Sequence, residues 1–480
     1  MSSYAFYFDS SSCSGCKACQ VACKDKNNLP IGVLWRRVYE ISGGEWTHTG
    51  EAWTSTVFAY NLSIACNHCV HPKCAGVCPT DAYVVRPDGI VYIDGSKCIG
   101  CGYCAWACPY DAPQVDQFAG TMTKCNLCYD NLDMGLPPAC VAACPLRCLE
   151  LAEISDEGME ARGLVLWEIP GTEHPFPLPK LSRTEPHLVI KPHPAVERVG
   201  EGTQVSNREE TSPTQPSKHT RGEIPLIFFT LLAQMAIGAF GTIFMIFWGL
   251  SDKLVARQIT FKPFIAVGAA IMLALVASFF HLGTPKNAWR ALNHLRKSWL
   301  SREILFISGF ALLWAILLGM KLFKIGPVSL WTSLSILTFF CGLAGLYCMQ
   351  RVYQLRSIPA WNKGRILLEF TISTVGMGAL FTGTLLPHYT PARYMGWIAL
   401  AGIIAFLSAG LVTISAKNTE NVKLNKWRVG LLLAGLIGAV ALFIRGTSAW
   451  NGSMLLVFII ALAEEGIGRW LFYSRRNPGI

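Results

Sequence analysis

Past Glu223 the chain becomes a series of long apolar runs broken by short polar stretches. A helix needs about 20 apolar residues to cross a bilayer. By that rule the pattern predicts eight spans, at 224–250, 263–282, 303–323, 327–349, 366–387, 396–416, 429–445 and 453–473. Buried helices of a globular protein are the competing reading. They fail on solvation, because so many apolar spans leave too little polar surface. The first part of the chain is patterned differently. Residues 1–194 show little helical periodicity, and Val84-Val85, Pro87-Asp88-Gly89 and Ile90-Val91-Tyr92-Ile93 read as a β-hairpin. Residues 195–221 are rich in Glu, Ser, Thr, Pro and Gly with almost no large apolar side chain, which predicts a flexible linker. The expected organisation is a domain over 1–194, a linker over 195–221 and a membrane domain over 222–480.

Composition sharpens this division. Charged residues are 15% of the chain and hydrophobic ones 52%, where a soluble domain is about 25% charged. Residues 1–222 hold 18 Lys+Arg against 24 Asp+Glu, and residues 223–480 hold 23 against 7. The net charge of +10 therefore belongs to the membrane half, and the chain carries no nucleic-acid-binding signature. Met1–Phe6 lacks the basic and apolar regions of a signal peptide, so export would need a partner's signal.

Cysteine divides the other way, with 17 of 19 before residue 222. Sixteen fall into four groups. They are Cys13, Cys16, Cys19, Cys23; Cys66, Cys69, Cys74, Cys78; Cys98, Cys101, Cys104, Cys108; and Cys125, Cys128, Cys140, Cys144. The third, followed by Pro109, reproduces the bacterial ferredoxin run C-x2-C-x2-C-x3-C-P. A cubane has four irons, each needing one thiolate. Two-residue gaps let a loop wrap three corners, and the last Cys of a run ligates the other cluster of a pair. Sixteen thiolates thus predict four [4Fe-4S] clusters. Structural zinc favours two separated Cys pairs over such triplets, and a disulfide scaffold suits short secreted chains. Cys148, Cys341 and Cys348 are left over and read as buried packing residues.

Cys13–Lys24, Cys66–Pro79, Cys98–Pro113 and Lys124–Pro145 resemble the four-cluster electron-transfer subunit of bacterial dimethyl sulfoxide reductase and related iron–sulfur molybdoenzymes. Residues 223–480 resemble the eight-span anchor of the same enzymes. The resemblance lies in Glu223–Leu226, His281-Leu282-Gly283-Thr284-Pro285, Ser301-Arg302-Glu303, Arg351-Val352-Tyr353 and Gly466–Arg469. The chain looks like a fusion of two subunits that are usually separate. The resemblance implies an α+β ferredoxin-like domain with two double-cubane [4Fe-4S] modules, then an all-α polytopic domain of eight transmembrane helices. It implies the ligand sets Cys13, Cys16, Cys19 with Cys144; Cys125, Cys128, Cys140 with Cys23; Cys66, Cys69, Cys74 with Cys108; and Cys98, Cys101, Cys104 with Cys78. The last would lie nearest the membrane. A separate molybdopterin-containing catalytic subunit is implied too, since no stretch here matches one. The chain itself would do no chemistry on the terminal substrate.

Clusters pass single electrons, whereas quinol releases two electrons and two protons. An anchor for this chemistry must hold a membrane quinone (menaquinone or ubiquinone) and carry protons. His281, closing the second span, and Glu303, opening the third, match residues that the family uses for quinol binding and proton release. Glu369, Glu464, Glu465 and Arg469 are further candidates, with Arg469 placed to pair with either neighbouring Glu. Asn287 stands where the family tends to carry a basic residue. After residue 222 the only histidines are His281, His294 and His388, none central to a span, so no haem is expected. Loops on the iron–sulfur side hold 15 Lys+Arg and those opposite hold 7. This bias places the iron–sulfur domain on the cytoplasmic face of the bacterial inner membrane. Docking of an acidic domain onto basic loops would instead allow a periplasmic placement. A cytoplasmic placement resembles sulfite dehydrogenase-type complexes, which run the relay toward quinone. A transporter or proton pump with an attached redox domain would need mid-membrane charge pairs and repeat symmetry, and no clear repeat is present.

Overall fold

The computed structural model describes every residue except 1–2, 155–183, 200–202, 207–217, 250–259, 359–360, 362–364, 387–389, 416–421, 446–449 and 475–480. His388 lies outside the described residues, as do Lys253, Arg257, Lys363, Lys417, Arg475 and Arg476 of the basic loops.

The iron–sulfur domain is assembled from short elements. Strand β1 (Ser3–Asp9) is the middle of a three-stranded sheet, antiparallel to β10 (Leu149–Ile154) and parallel to β11 (Leu188–Lys191). A second sheet holds β2 (Arg37–Gly43) between β5 (Phe58–Ile64) and β12 (Gln204–Ser206). Three hairpins complete the β-structure of the described residues: β3 (Trp46–Thr49) with β4 (Ala52–Ser55), β6 (Tyr83–Val85) with β7 (Val91–Ile93), and β8 (Gln114–Asp116) with β9 (Thr121–Thr123). The hairpin expected around Pro87-Asp88-Gly89 is β6–β7, and Gly89 takes the positive φ that its turn requires. Five short helices carry cysteines or flank them: α1 (Ala18–Lys26), α2 (Lys73–Val77), α3 (Tyr103–Ala107), α4 (Tyr129–Leu132) and α5 (Ala139–Ala142).

The structure differs from the linker expectation at its described ends. Pro194–Arg198 forms a 3-10 turn that buries Ala195 and Val196, and β12 pairs with β2 around the Val205–Ile41 register. The edge of β2 offers unpaired backbone groups, and even a polar segment satisfies them.

The membrane domain has eight long helices among its described residues. They are α6 (Lys218–Gly249), α7 (Phe261–Phe279), α8 (Trp299–Phe323), α9 (Val328–Tyr353), α10 (Arg365–Leu385), α11 (Ala392–Ser415), α12 (Val422–Arg445) and α13 (Trp450–Ser474). The first seven are long and apolar enough to cross a membrane. Helix α13 contains Glu464, Glu465 and Arg469. Each helix satisfies its own backbone, as a bilayer requires. Small residues set the closest approaches. A Cβ on Gly238 of α6 would collide with the Thr374 carbonyl of α10, and one on Gly378 would meet the Gly238 backbone. Trp314 lies over Gly268 and donates its indole N–H to the Phe264 carbonyl at 3.0 Å. One continuous core runs from the bundle into Tyr103, Trp106 and Ala107 of the iron–sulfur domain.

Candidate functional site

The topology explains which cysteine groups meet. Pairing of β1 with β10 brings the loop after Asp9, which holds Cys13, beside the segment before β10, which holds Cys144 and Cys148; the Asp9 N–H donates to the Cys148 carbonyl at 2.8 Å. Helix α1, carrying Cys19 and Cys23, packs on α5, carrying Cys140. Helix α2, carrying Cys74, packs on α3, carrying Cys104. In three of the groups a left-handed residue turns the cysteine loop into its helix: Lys17, Gly102 and Cys128.

Two hollows mark the result. One is lined by Cys13, Cys16, Cys19 and Cys144, the other by Cys66, Cys69, Cys74 and Cys108. Elsewhere Cys23 lies within electrostatic range of Cys140 and Cys128, and Cys101 within range of Cys78 and Cys98. Among the described residues no three Cys, His, Asp or Glu side chains are placed to hold a single metal ion. Each thiolate of a cubane binds a different iron, so the four stand farther apart than ligands of one ion. Burial pushes the Cys23, Cys69 and Cys74 thiols up to about 12. They become ligands only by losing protons to bound metal.

The surroundings fit an anionic cluster. Arg36 and Lys124 are buried, at 1% and 3% exposure. Burial alone would lower the Lys124 pKa, but nearby Cys66, Cys74 and Cys125 outweigh it and raise it; the Cys140, Cys19, Cys125 and Cys23 thiols do the same for Arg36. Lys124 Nζ donates to Cys66 Sγ at 3.3 Å. Arg36 Nε and Nη2 have no hydrogen-bond partner among the described residues. Buried cations with unsatisfied N–H groups are costly unless negative charge stands beside them. Backbone N–H groups of Gly100 and Met122 each reach Cys98 Sγ at 3.3 Å, and that of Ala82 reaches Cys78 Sγ at 3.4 Å. Such bonds stabilise reduced clusters and set their potentials.

The anchor closes over this last group. His281 Nε2 lies 2.9 Å from the Cys101 carbonyl, and Thr284 donates to the Cys98 carbonyl at 2.7 Å. Asn287 donates to the Ser96 and Cys98 carbonyls, both at 3.2 Å, and Arg290 to Ser96 at 2.7 Å. His294 Nδ1 lies 2.9 Å from the Cys78 carbonyl, and Ser298 donates to Val77 at 2.7 Å. Asn287 thus docks the cysteine loop. In return Tyr103 donates to the Val352 carbonyl at 3.1 Å. Gly100, Gly120 and Gly283 meet so closely that a Cβ on any one would strike backbone of another, and Gly100 and Gly120 also have positive φ. Glu303 is buried at 2% exposure and lies within electrostatic range of Tyr103. The structure therefore brings His281 and Glu303 to the same cysteine group. The Trp106 and His281 rings are 6.5 Å apart.

Residues 219–474 match the family described as the DMSO reductase anchor subunit (DmsC), and residues 57–154 match a 4Fe-4S dicluster domain. The chain belongs to the dimethyl sulfoxide reductase anchor family. Its N-terminal part is 46% identical over 200 residues to the B subunit of the anaerobic dimethyl sulfoxide reductase of Escherichia coli, covering 42% of this chain and 94% of that subunit. It is 46% identical over 195 residues to the same subunit of Haemophilus influenzae, covering 40% of this chain and 91% of that subunit. A formate dehydrogenase iron-sulfur subunit of Wolinella succinogenes is 36% identical over 189 residues, 35% of this chain and 90% of that subunit. One polypeptide here unites the iron–sulfur electron-transfer part and the multi-pass membrane anchor of this family.

Sequence reasoning missed Arg36 and the three-glycine contact, since neither follows a period or motif. Lys124, beside Cys125, was legible only as part of a matching stretch. Cys148 is buried at 5%, but it also lines the first hollow with its Sγ 3.5 Å from that of Cys144. Glu464 pairs with Arg428 at 2.7 Å, and Arg469 lies 4.0 Å from Glu465.

Proposed function

We propose that this chain relays electrons between membrane quinone and a separate molybdopterin-containing catalytic subunit through four [4Fe-4S] clusters. The ligand sets are Cys13, Cys16, Cys19 with Cys144; Cys125, Cys128, Cys140 with Cys23; Cys66, Cys69, Cys74 with Cys108; and Cys98, Cys101, Cys104 with Cys78. The bound clusters supply one-electron carriers. All eight long helices span the membrane, α13 with its charges turned to the bundle. His281 and Glu303 bind quinone and move its protons beside the fourth set. The observation that carries this reading is the hydrogen bonding of Cys78, Cys98 and Cys101 carbonyls by the anchor segment between α7 and α8. It supports direct exchange between quinone and the nearest cluster, because His281 touches the backbone of that cysteine group.

Redox titration of the purified complex, read by electron paramagnetic resonance, tests it. Four cluster signals are expected, one of them shifted by a quinone-analogue inhibitor. Glu303→Gln should keep four signals and lose that shift. Fewer clusters, or a shift that survives in Glu303→Gln, would contradict the assignment.

By likeness to its relatives the complex reduces a small S- or N-oxide with electrons from quinol. The excess of Lys and Arg in the loops on the iron–sulfur side favours a second reading, a cytoplasm-facing complex that oxidises a donor such as sulfite and reduces quinone. Of those loop residues, Arg290 docks on the iron–sulfur domain, whereas Arg302 and Arg351 bond within the anchor. Docking therefore accounts for only part of the bias. A compartment-specific reporter fused after Ile480 separates the two readings.

A further inference from the structure

We propose that a buried polar file, from Glu303 through the Tyr353–Tyr473 pair to Glu465 and the cavity beside it, is the proton path between the quinone site and water on the iron–sulfur side. The inference rests on the quinone site proposed above.

The file begins at an unsatisfied group. Glu303 Oε1 has no hydrogen-bond partner among the described residues, although the side chain is 2% exposed. A carboxyl buried this way in a spanning helix is expensive to keep and points to function. Glu303 lies within electrostatic range of Tyr353 and Tyr473. Those two hydroxyls are 2.6 Å apart, and both side chains are 2% exposed. Beyond Tyr473 stands Arg469, whose Nη2 donates to Gln234 at 2.6 Å and whose guanidinium lies 3.8 Å over the Phe370 ring. Glu465 comes next, accepting a hydrogen bond from Ser373 at 2.5 Å.

The file ends in a cavity of about 670 Å³, counting its open mouth, between α10, α11, α12 and α13. Glu369, Ser373, Ser408, Arg428, Glu465 and Arg469 are among its lining residues. Arg469 Nε is buried there without a hydrogen-bond partner among the described residues, a group that water would satisfy. The charges argue for water over an anionic lipid head, because Arg428 is already paired with Glu464, and the lining acids Glu369 and Glu465 stand beside Arg469. Its place on the iron–sulfur side follows from Trp361. This residue, between α9 and α10, packs against Trp106 at 5.5 Å and stacks on Phe472 near the end of α13 at 5.0 Å.

The balance is simple. Each quinol oxidised would release two electrons, which a bound cluster would accept one at a time, and two protons, which Glu303 takes one after the other. The two tyrosine hydroxyls exchange each proton across their hydrogen bond, water bridges the steps from Glu303 and to Glu465, and Glu465 releases the proton into the cavity. Quinone reduction runs every step backwards. Arg469 stays charged and holds Glu465 in place.

The test uses the complete complex in membranes, with quinol as donor and a fluorescent quinone-analogue inhibitor as binding probe. Glu465→Gln and Tyr473→Phe keep shape and packing while removing the proton carriers. Both should bind the probe like the wild type and retain its cluster signals. Quinol oxidation should fall at least about tenfold, and a small weak acid such as azide should partly restore it in Glu465→Gln. Wild-type turnover in both variants would overturn the path. Loss of probe binding together with turnover would also overturn it, making these residues part of the site's shape. If the wild type itself fails to bind the probe and Glu303→Gln is silent, the quinone site is what fails, and the path falls with it.

Discussion

The two halves of this chain solve the problem of folding with opposite means. The membrane helices form closed backbone ladders and pack through a broad apolar core that extends along every span. The iron–sulfur domain has helices of four to nine residues and sheets of two or three strands. Its core clusters contain Cys19, Cys23, Cys66, Cys125 and Cys140 in one group and Cys74, Cys78, Cys98 and Cys104 in another. Where a soluble domain of this size would place Leu and Val, this one places thiols and the cations Arg36 and Lys124. Small domains that cannot bury enough apolar surface need covalent or metal staples. The difference teaches that one half folds by its own sequence and the other by what it binds.

Removing the clusters should break the symmetry most severely. Treating the complex with chelator and oxidant leaves ten buried thiols among the sixteen without metal, and the buried cations Arg36 and Lys124 without their counter-charge. Residues 3–154 should lose protease resistance completely, while α6–α13 in detergent keep theirs. Digestion followed by mass spectrometry reads both at once. A cluster-free iron–sulfur domain that stays resistant would show that its short elements suffice.

A smaller effect is expected at the joint. Gly283 belongs to the anchor but meets Gly100 and Gly120 of the iron–sulfur domain backbone to backbone. Gly283→Ala forces that contact apart, and overpacking of this kind costs about 1–3 kcal/mol. Hydrogen exchange should rise over residues 96–104 and 281–301 and leave β1 and β10 unchanged. Unaltered exchange at the joint would mean that the hydrogen bonds across it and the aromatic cluster around Trp106 hold the two halves without the glycine contact.

Legibility in the sequence follows the same divide. Seven of the spans were readable because a bilayer imposes a minimum length and an apolar composition on a crossing helix, and α13, with Glu464, Glu465 and Arg469, falls outside that rule. The predicted spans at 224–250 and 263–282 correspond to α6 and α7 to within a few residues, apart from the N-terminal extension of α6 to Lys218. The cysteine groups were readable because a cubane dictates local spacing. Which group faces which is a matter of long-range pairing, such as β1 with β10, and no local period encodes it. The same holds for Gln204–Ser206, whose polar composition predicts a linker but which completes a sheet edge supplied from far away. Arg428 likewise took Glu464 from a neighbouring helix, a partner that spacing along α13 could not disclose.

The smallest prediction concerns the open end of β1, where the iron–sulfur domain relies on ordinary electrostatics. Burial works against an ionised Asp9, but hydrogen bonds from Lys191, Ser11 and Ser12 outweigh it and lower its pKa to about 2. Lys191 Nζ lies 2.8 Å away on the neighbouring parallel strand β11. A carboxylate whose folded pKa lies below its unfolded value of about 3.9 stabilises the fold above that pH. The contribution is lost as pH falls toward about 2. Asp9→Asn should therefore cost up to about 1 kcal/mol at neutral pH, seen as faster loss of cluster absorbance in denaturant. The two proteins should converge as pH falls from about 4 toward 2. The anchor helices should not respond at any pH. A difference that persisted unchanged at low pH would mean that Asp9 acts through its turn geometry with Ser11 and Ser12 and that the charge itself is dispensable.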